Sequence, residues 1–410
     1  MKVEQGAGRP WQHFADYYYA GTPSKRRVDA DREWYAKKWG HLTTMGDDAA
    51  DRLAVAIIDK RVARADFEAA LTNGVSDAVD FAPEIVEFIA PRQTLPACLD
   101  AEAIARGAKA YRRLPMPAWV AHGAIAGFIF GAISPNSSMT LSLNEAIVES
   151  THKRYVETAK YVHDLLVDPA GSSAFQTGCR VRLVHGFVRT EISRHVQWNT
   201  EAYGTPINLA PMLVAAAVEG PWAVPLLEKQ GYRLTAQEKD DIAMFSAYQS
   251  FLQGVPEEEL LTTHDDYSDF LYFYLSSDSV PLPEDRPAAE KVLRPLIANG
   301  YPISSSQAVT DLFNAFILAE TRRSFGPEIS REWGIDVPAA GLVVAPIAGV
   351  LNRALGFARR MPLTRPLCDK LADNMVYSTM PQMVKRVTGS SDVKFDSAAK
   401  EERTPVGGAV

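Results

Sequence analysis

Phe175–Trp198 reads FQTGCRVRLVHGFVRTEISRHVQW. Within it, Gly178, Val181, His185, Val188 and Ile192 recur at alternating steps of three and four. That period puts all five on one face of a helix. The stretch therefore predicts a long helix with an imidazole seated in its apolar stripe. An inward imidazole is either a hydrogen-bonded core group or a metal ligand, and the spacing leaves both readings open. Arg182 and Arg189 lie one turn before and after it. Two cations flanking an inward imidazole suit a ligand that carries carboxylates. Read singly, each is a solvated helix charge.

The same period recurs on both sides of this helix. It predicts helices over Asp47–Arg64, Pro83–Ala90, Ala101–Arg112, Trp119–Ile133 and Ser142–Leu166. The last is stopped by Asp168-Pro169-Ala170-Gly171. Further helices are expected over Asn208–Glu219, Thr235–Gln253, Asp266–Leu275, Glu284–Ile297, Ser304–Arg322, Ala340–Arg359 and Leu363–Tyr377. Thr235 followed by Glu238 is the pattern of a capping box. Strand-like alternation is scarce, so the expected fold is all-α: one large multi-helix bundle over residues 40–384. Residues 1–39, aromatic and charged, are expected to wrap its outside as an N-terminal extension. Residues 385–410 are rich in Ser, Lys, Glu and Gly and are expected to form a flexible tail.

Of the 410 residues, 47% are hydrophobic and 23% charged, which is enough apolar material for a large core. The net charge of −7 offers no basic excess for nucleic acid, so no nucleic-acid partner is expected. Cys98, Cys179 and Cys368 form no Cys-x-x-Cys pair, which argues against a thiolate zinc site or disulfide framework. This usage fits a reducing compartment, and a cytoplasmic location is expected. No apolar segment follows the N-terminal Met-Lys-Val-Glu as in a signal peptide. The twin Arg26-Arg27 is followed by acidic residues, unlike an export signal. Trp119–Ser134 and Ala339–Leu351 are the most apolar segments, and both read as buried helices. Leu342–Arg360 joins apolar residues to Arg353, Arg359 and Arg360, a pattern that could also lie on a lipid surface. Given Pro346 and the short apolar run, it is read as a packed C-terminal helix.

The helix before the central one holds an anomaly. Ile147, Ser150, Arg154, Thr158, Tyr161 and Leu165 share one face, which places Arg154 where core is expected. A buried guanidinium costs several kcal/mol unless paired. It either serves a site or pairs with Glu157, Asp164 or Glu191. Thr158, one turn on, could join it in offering hydrogen bonds to a small polar ligand in an apolar cavity.

Glu149-Ser150-Thr151-His152 is one Glu-x-x-His, but a carboxylate-bridged di-iron bundle needs two such motifs and two more glutamates. Glu191 to His195 is one residue too long to be the second. Gly-x-Ser-x-Gly, a Walker loop and Gly-x-Gly-x-x-Gly are all absent.

Val184-His185-Gly186-Phe187-Val188-Arg189, then Trp198, then Tyr203-Gly204-Thr205-Pro206-Ile207-Asn208 resembles the signature of the MpaB / latex clearing protein family. Met45-Gly46-Asp47-Asp48-Ala49-Ala50-Asp51 resembles the family's opening Gly-Asp segment, and Thr235–Leu261 with Gly254-Val255 a later helix and turn. The likeness runs from about Gly40 to Gln382. It implies an all-helical oxygenase with haem b, whose iron is buried between helices as in globins. It implies His185 as the proximal iron ligand and Arg154 with Thr158 as the distal pair; Arg182 and Arg189, which flank the imidazole, are then expected to bind the carboxylates of that cofactor. Where latex clearing proteins carry a lysine before the distal threonine, this chain has Glu157, a candidate base. The expected substrates are dioxygen and a small apolar, unsaturated, isoprenoid-like molecule, oxygenated or cleaved at a carbon–carbon double bond. Trp119–Ile133 is expected to line the cavity. Two alternatives follow the same residues: a haem protein that senses or carries a ligand without turnover, and a haem-free binder of an apolar molecule. Nothing in the sequence sets an oligomeric state.

Overall fold

A computed structural model describes residues 15–75, 80–114, 134–143, 151–195, 198–218, 220–229, 231–277, 286–287, 290, 306–379, 381–382 and 385. The elements, in chain order, are α1 (Ser24–Ala30), α2 (Arg32–Thr44), α3 (Asp48–Ile58), α4 (Arg64–Asn73), α5 (Pro83–Gln93), α6 (Ala101–Arg112), α7 (Pro135–Leu143), α8 (Thr151–Val167), α9 (Ser172–His195), α10 (Thr200–Tyr203), α11 (Leu209–Val218), α12 (Ala223–Lys229), α13 (Ala236–Leu252), α14 (His264–Ser277), α15 (Gln307–Glu332), α16 (Ala339–Ala358) and α17 (Arg365–Asn374). No strand occurs among the described residues, so the all-α expectation holds. The expected helices 119–133 and most of 284–297, the Glu-x-x-His motif's Glu149 and Ser150, and the tail 386–410 lie outside the described residues.

Helix α13 is the axis of the bundle. The expected capping box starts it: Thr235 Oγ1 accepts from the Glu238 amide, and Glu238 Oε2 accepts from the Thr235 amide at 2.9 Å. Its later turns, from Asp241 to Leu252, are buried almost without interruption. A helix apolar on all sides is one surrounded by others, and α6, α9, α11 and α14 pack around this one. Three apolar clusters result. Residues of α6, α8, α12 and α13 form one, including Tyr111, Leu165, Phe245 and Leu252. The second joins α3, α4 and α5 to Cys179, Leu183 and Phe187 of α9. A third gathers α2, α11, α14, α15 and α16.

Two expectations change. Residues 15–39 do not merely wrap the bundle. Tyr18 is wholly buried and stacks on Trp222 with ring centroids 4.0 Å apart, while Trp39 packs on Phe270 and Tyr274. Aromatic rings bury more apolar area than other side chains, so a segment carrying six of them is drawn inward. The helix expected over 47–64 is shorter, and the next begins only at Arg64. The first ends at Ile58, where Lys60 adopts φ 58°, and Val62 turns back into the core.

Candidate functional site

The geometry starts from α9, whose two long faces meet different neighbours. On one face Cys179, Arg182, Leu183, Gly186, Phe187 and Arg189 are all buried against α3 and α5. Gly186 makes this contact: a Cβ there would sit 2.6 Å from the Ala50 carbonyl oxygen, so only hydrogen lets the two backbones approach.

Both arginines point to that same side. Arg182 donates from Nε and Nη2 to the two Asp47 oxygens at 2.5 and 2.8 Å, and from Nη1 to the Phe88 carbonyl at 2.9 Å. Its guanidinium also lies over the Phe88 ring, 4.2 Å from the centroid. Asp47 is at the same time the N-cap of α3, accepting from the Ala50 amide at 3.1 Å. Burial works to raise the Asp47 pKa, but the Arg182 bonds outweigh it and hold the carboxyl below its ordinary range. Arg189 donates from Nε to Asp51 at 2.8 and 2.9 Å and from Nη1 to the Ile207 carbonyl at 2.7 Å; its buried Nη2 makes no hydrogen bond. At Asp51 burial wins over Arg189, and the pKa is pushed up to about 6.

The arginines therefore carry a task that their spacing did not show. Arg182 spends every guanidinium nitrogen on protein and offers none to a cofactor carboxylate. Arg189 keeps a single uncommitted nitrogen. A buried carboxylate at 2.5–2.8 Å satisfies the fork at once, and Asp47 and Asp51 come from a segment far away in sequence.

The other quoted segments close the same knot. Thr205 donates its amide to Thr43 O at 2.9 Å and its hydroxyl to Thr44 O at 3.0 Å; the Leu209 amide reaches Met45 O at 3.1 Å. Asn136 donates to Tyr203 O and Thr205 O at 2.7 and 2.8 Å, and Trp198 Nε1 to Gly204 O at 2.7 Å. Gly204 has φ +69°, and a Cβ there would lie 2.3 Å from Thr43 O.

The second face of α9 meets α8 and α13. Gly178 touches Leu252, and Gln253 Nε2 donates to both Gly178 O and Tyr161 Oη at 3.2 Å. Thr177 donates to Asp164 of α8 at 2.6 Å. Burial would raise the Asp164 pKa, but bonds from His163, Lys160 and Thr177 hold it down. Beyond this junction the face opens. Val181, Val184, His185 and Val188 are each only half-buried, while their neighbours Arg182, Leu183, Gly186, Phe187 and Arg189 are buried. The imidazole thus stands in an apolar strip that protein does not fully cover, at the middle of a helix clamped on its other side.

On α8, Tyr161 and Leu165 are buried as expected, but Thr158 is exposed rather than enclosed. The stripe emerges from the packed core one turn before Tyr161. Arg154 and Glu157 have helical backbone in α8, and their side chains lie outside the described residues. Asp164, one of the partners considered for Arg154, is occupied by Lys160, His163 and Thr177.

Residues 116–360 match the family described as ER-bound oxygenase mpaB/B'/rubber oxygenase, catalytic domain. The chain belongs to this family. Its fold is that of a solved structure of latex clearing protein in the closed state, with a TM-score of 0.55 at 17% identity over 82% of this chain and 91% of that one. No curated protein matches. The mpaB/rubber oxygenase match makes residues 116–360 an oxygenase-type catalytic domain. It spans α8, α9 and α13, but not Asp47 and Asp51, which brace α9 from outside it.

Proposed function

We propose that the protein is a haem b-dependent oxygenase acting on an apolar, unsaturated, isoprenoid-like substrate. The observation that carries this reading is the half-open apolar strip around His185 on a helix locked at its opposite face. Among the described residues, no three of His, Cys, Asp or Glu converge to hold a bare metal ion. An iron served by one histidine needs its remaining donors from a macrocycle, and a flat apolar ring fits a strip of valines.

His185 would hold the iron through one ring nitrogen, and Val181, Val184 and Val188 would pack on the ring. The haem supplies dioxygen binding and activation, while the protein supplies placement and exclusion of water. Arg154 would place a permanent cation where negative charge develops during oxygenation. Thr158, exposed one turn beyond Arg154, would orient dioxygen or a water through its hydroxyl, and Glu157 would serve as a base. Arg182 and Arg189 position α9 through Asp47 and Asp51 instead of gripping the cofactor. The reaction is oxygenation or cleavage of a carbon–carbon double bond.

The test is the absorption spectrum of the purified protein, followed by dioxygen uptake with a polyene such as squalene. We expect a Soret band, its loss in His185→Ala with the melting transition retained, and its return on adding imidazole. A colourless protein that still oxygenates, or a His185→Ala variant with an unchanged haem spectrum, would overturn the reading.

A further inference from the structure

Helix α16 is built the wrong way out for water. The residues it buries against α15 are Gly341, Ala345, Ala348 and Asn352, a stripe of mostly small side chains. Its large apolar side chains face outward: Leu342, Val343, Ile347, Val350 and Leu351, with Val350 64% exposed. The exposure continues through Phe357 and Met361, reaches 92% at Leu363, and extends along α17 through Leu367 and Leu371. The expectation of a buried helix over Ala339–Leu351 therefore fails: the helix packs, but by its narrow side. A contiguous apolar surface of this kind marks an interaction site.

The charges along α16 and the turn after it are of one sign. From Val337 to Cys368 there is no Asp or Glu, while Arg353, Arg359, Arg360 and Arg365 fall within that stretch, in a chain of net charge −7. Of the acids of α17, Asp369 is largely covered and pairs with Arg113 at 2.6 Å, while Asp373 is half exposed and lies 3.7 Å from Arg112. Arg353, Arg360, Arg365 and Lys370 are exposed.

Helix α16 is long and apolar enough to cross a membrane by length and composition. Its attachments tie it along the body instead. Arg359 donates to Glu238 at 2.9 Å, Arg360 to the Arg233 carbonyl at 3.3 Å, and Gly356 lies on the Tyr232 ring. A second copy of the chain is the poorer occupant, because a two-fold contact would bring together two faces that both carry Arg353, Arg360 and Arg365. An anionic bilayer meets both properties: apolar side chains enter the acyl boundary and the cations reach the phosphates. We propose that α16, the turn at 361–364 and α17 form a face that seats on anionic phospholipid membranes, lying in the interface and not spanning it. The proposal stands independently of haem and of the reaction.

Flotation of the full chain with vesicles of phosphatidylcholine alone, or of phosphatidylcholine mixed with phosphatidylglycerol, tests it. The protein is expected to float with the mixed vesicles and to be released by high salt. Ile347→Asp with Leu363→Asp should lower binding by at least about tenfold, and Arg365→Glu with Lys370→Glu should do the same. All four sites are exposed, so the melting temperature should hold. Wild-type protein that stays at the bottom of both gradients overturns the proposal. So does a wild-type dimer that Ile347→Asp with Leu363→Asp turns into monomer.

Discussion

Arg182 and Asp47 form a two-pronged ion pair, Nε to Oδ2 at 2.5 Å and Nη2 to Oδ1 at 2.8 Å, with side chains only 4% and 7% exposed. One carboxylate thereby caps α3 and holds α9 against it, and the helix bearing His185 takes its position from that bond.

Asp47→Ala should destabilise the fold by about 3–5 kcal/mol, because Arg182 is left buried with its charge uncompensated. Denaturant unfolding measures the loss. Replacing both partners with Asp47→Ala and Arg182→Leu should recover part of it. A single variant as stable as wild type would show that the pair does not hold α9.

Gly186→Ala places a methyl group 2.6 Å from the Ala50 carbonyl. Overpacking of a rigid helix contact costs about 1–3 kcal/mol, and neither backbone can yield while Asp47 and Asp51 grip the arginines on either side. Thermal melting should show the loss. Haem occupancy should fall with it, since α9 would be pushed toward the His185 face.

Arg154→Ala should leave the Soret band in place and slow dioxygen uptake with a polyene by about two orders of magnitude, the size of effect seen when one charge-stabilising donor is removed. Parallel loss of haem and of the melting transition would instead make Arg154 a structural residue.

At the start of α14, burial lowers the His264 pKa from 6.5 to about 4, with Lys239 adding to the effect. The folded chain thus keeps this imidazole neutral where the unfolded chain protonates it. Its contribution is complete above pH 6.5 and is lost as pH falls toward 4. His264→Gln should flatten the fall in melting temperature over that window compared with wild type. An equally steep fall in both would assign the acid sensitivity to other groups.

How much of the site was legible can be judged residue by residue. The run of three-and-four steps was enough to place His185 mid-helix, because a helix imposes one period on every sequence that adopts it. Thr235 with Glu238, and the stop at Asp168–Gly171, were equally local and appear where expected. The pairing of Arg182 and Arg189 was not legible. With 50 acidic and 43 basic residues, sequence does not say which meet. The one available hint was that Asp47 and Asp51 stand a helical turn apart in one quoted segment, while the arginines flank the histidine of another.

Chain order and side-chain period alone were sufficient for an all-helical class, the long helix and its imidazole, because these follow from contacts a few residues apart. Three things awaited the packed molecule: the carboxylates that claim the two arginines, the aromatic N-terminal segment drawn into the core, and the outward-facing apolar side of α16. Each depends on surfaces from distant parts of the chain competing for the same volume. Which surface wins is settled by fit and desolvation between helices, quantities that have no expression in the order of residues along one of them.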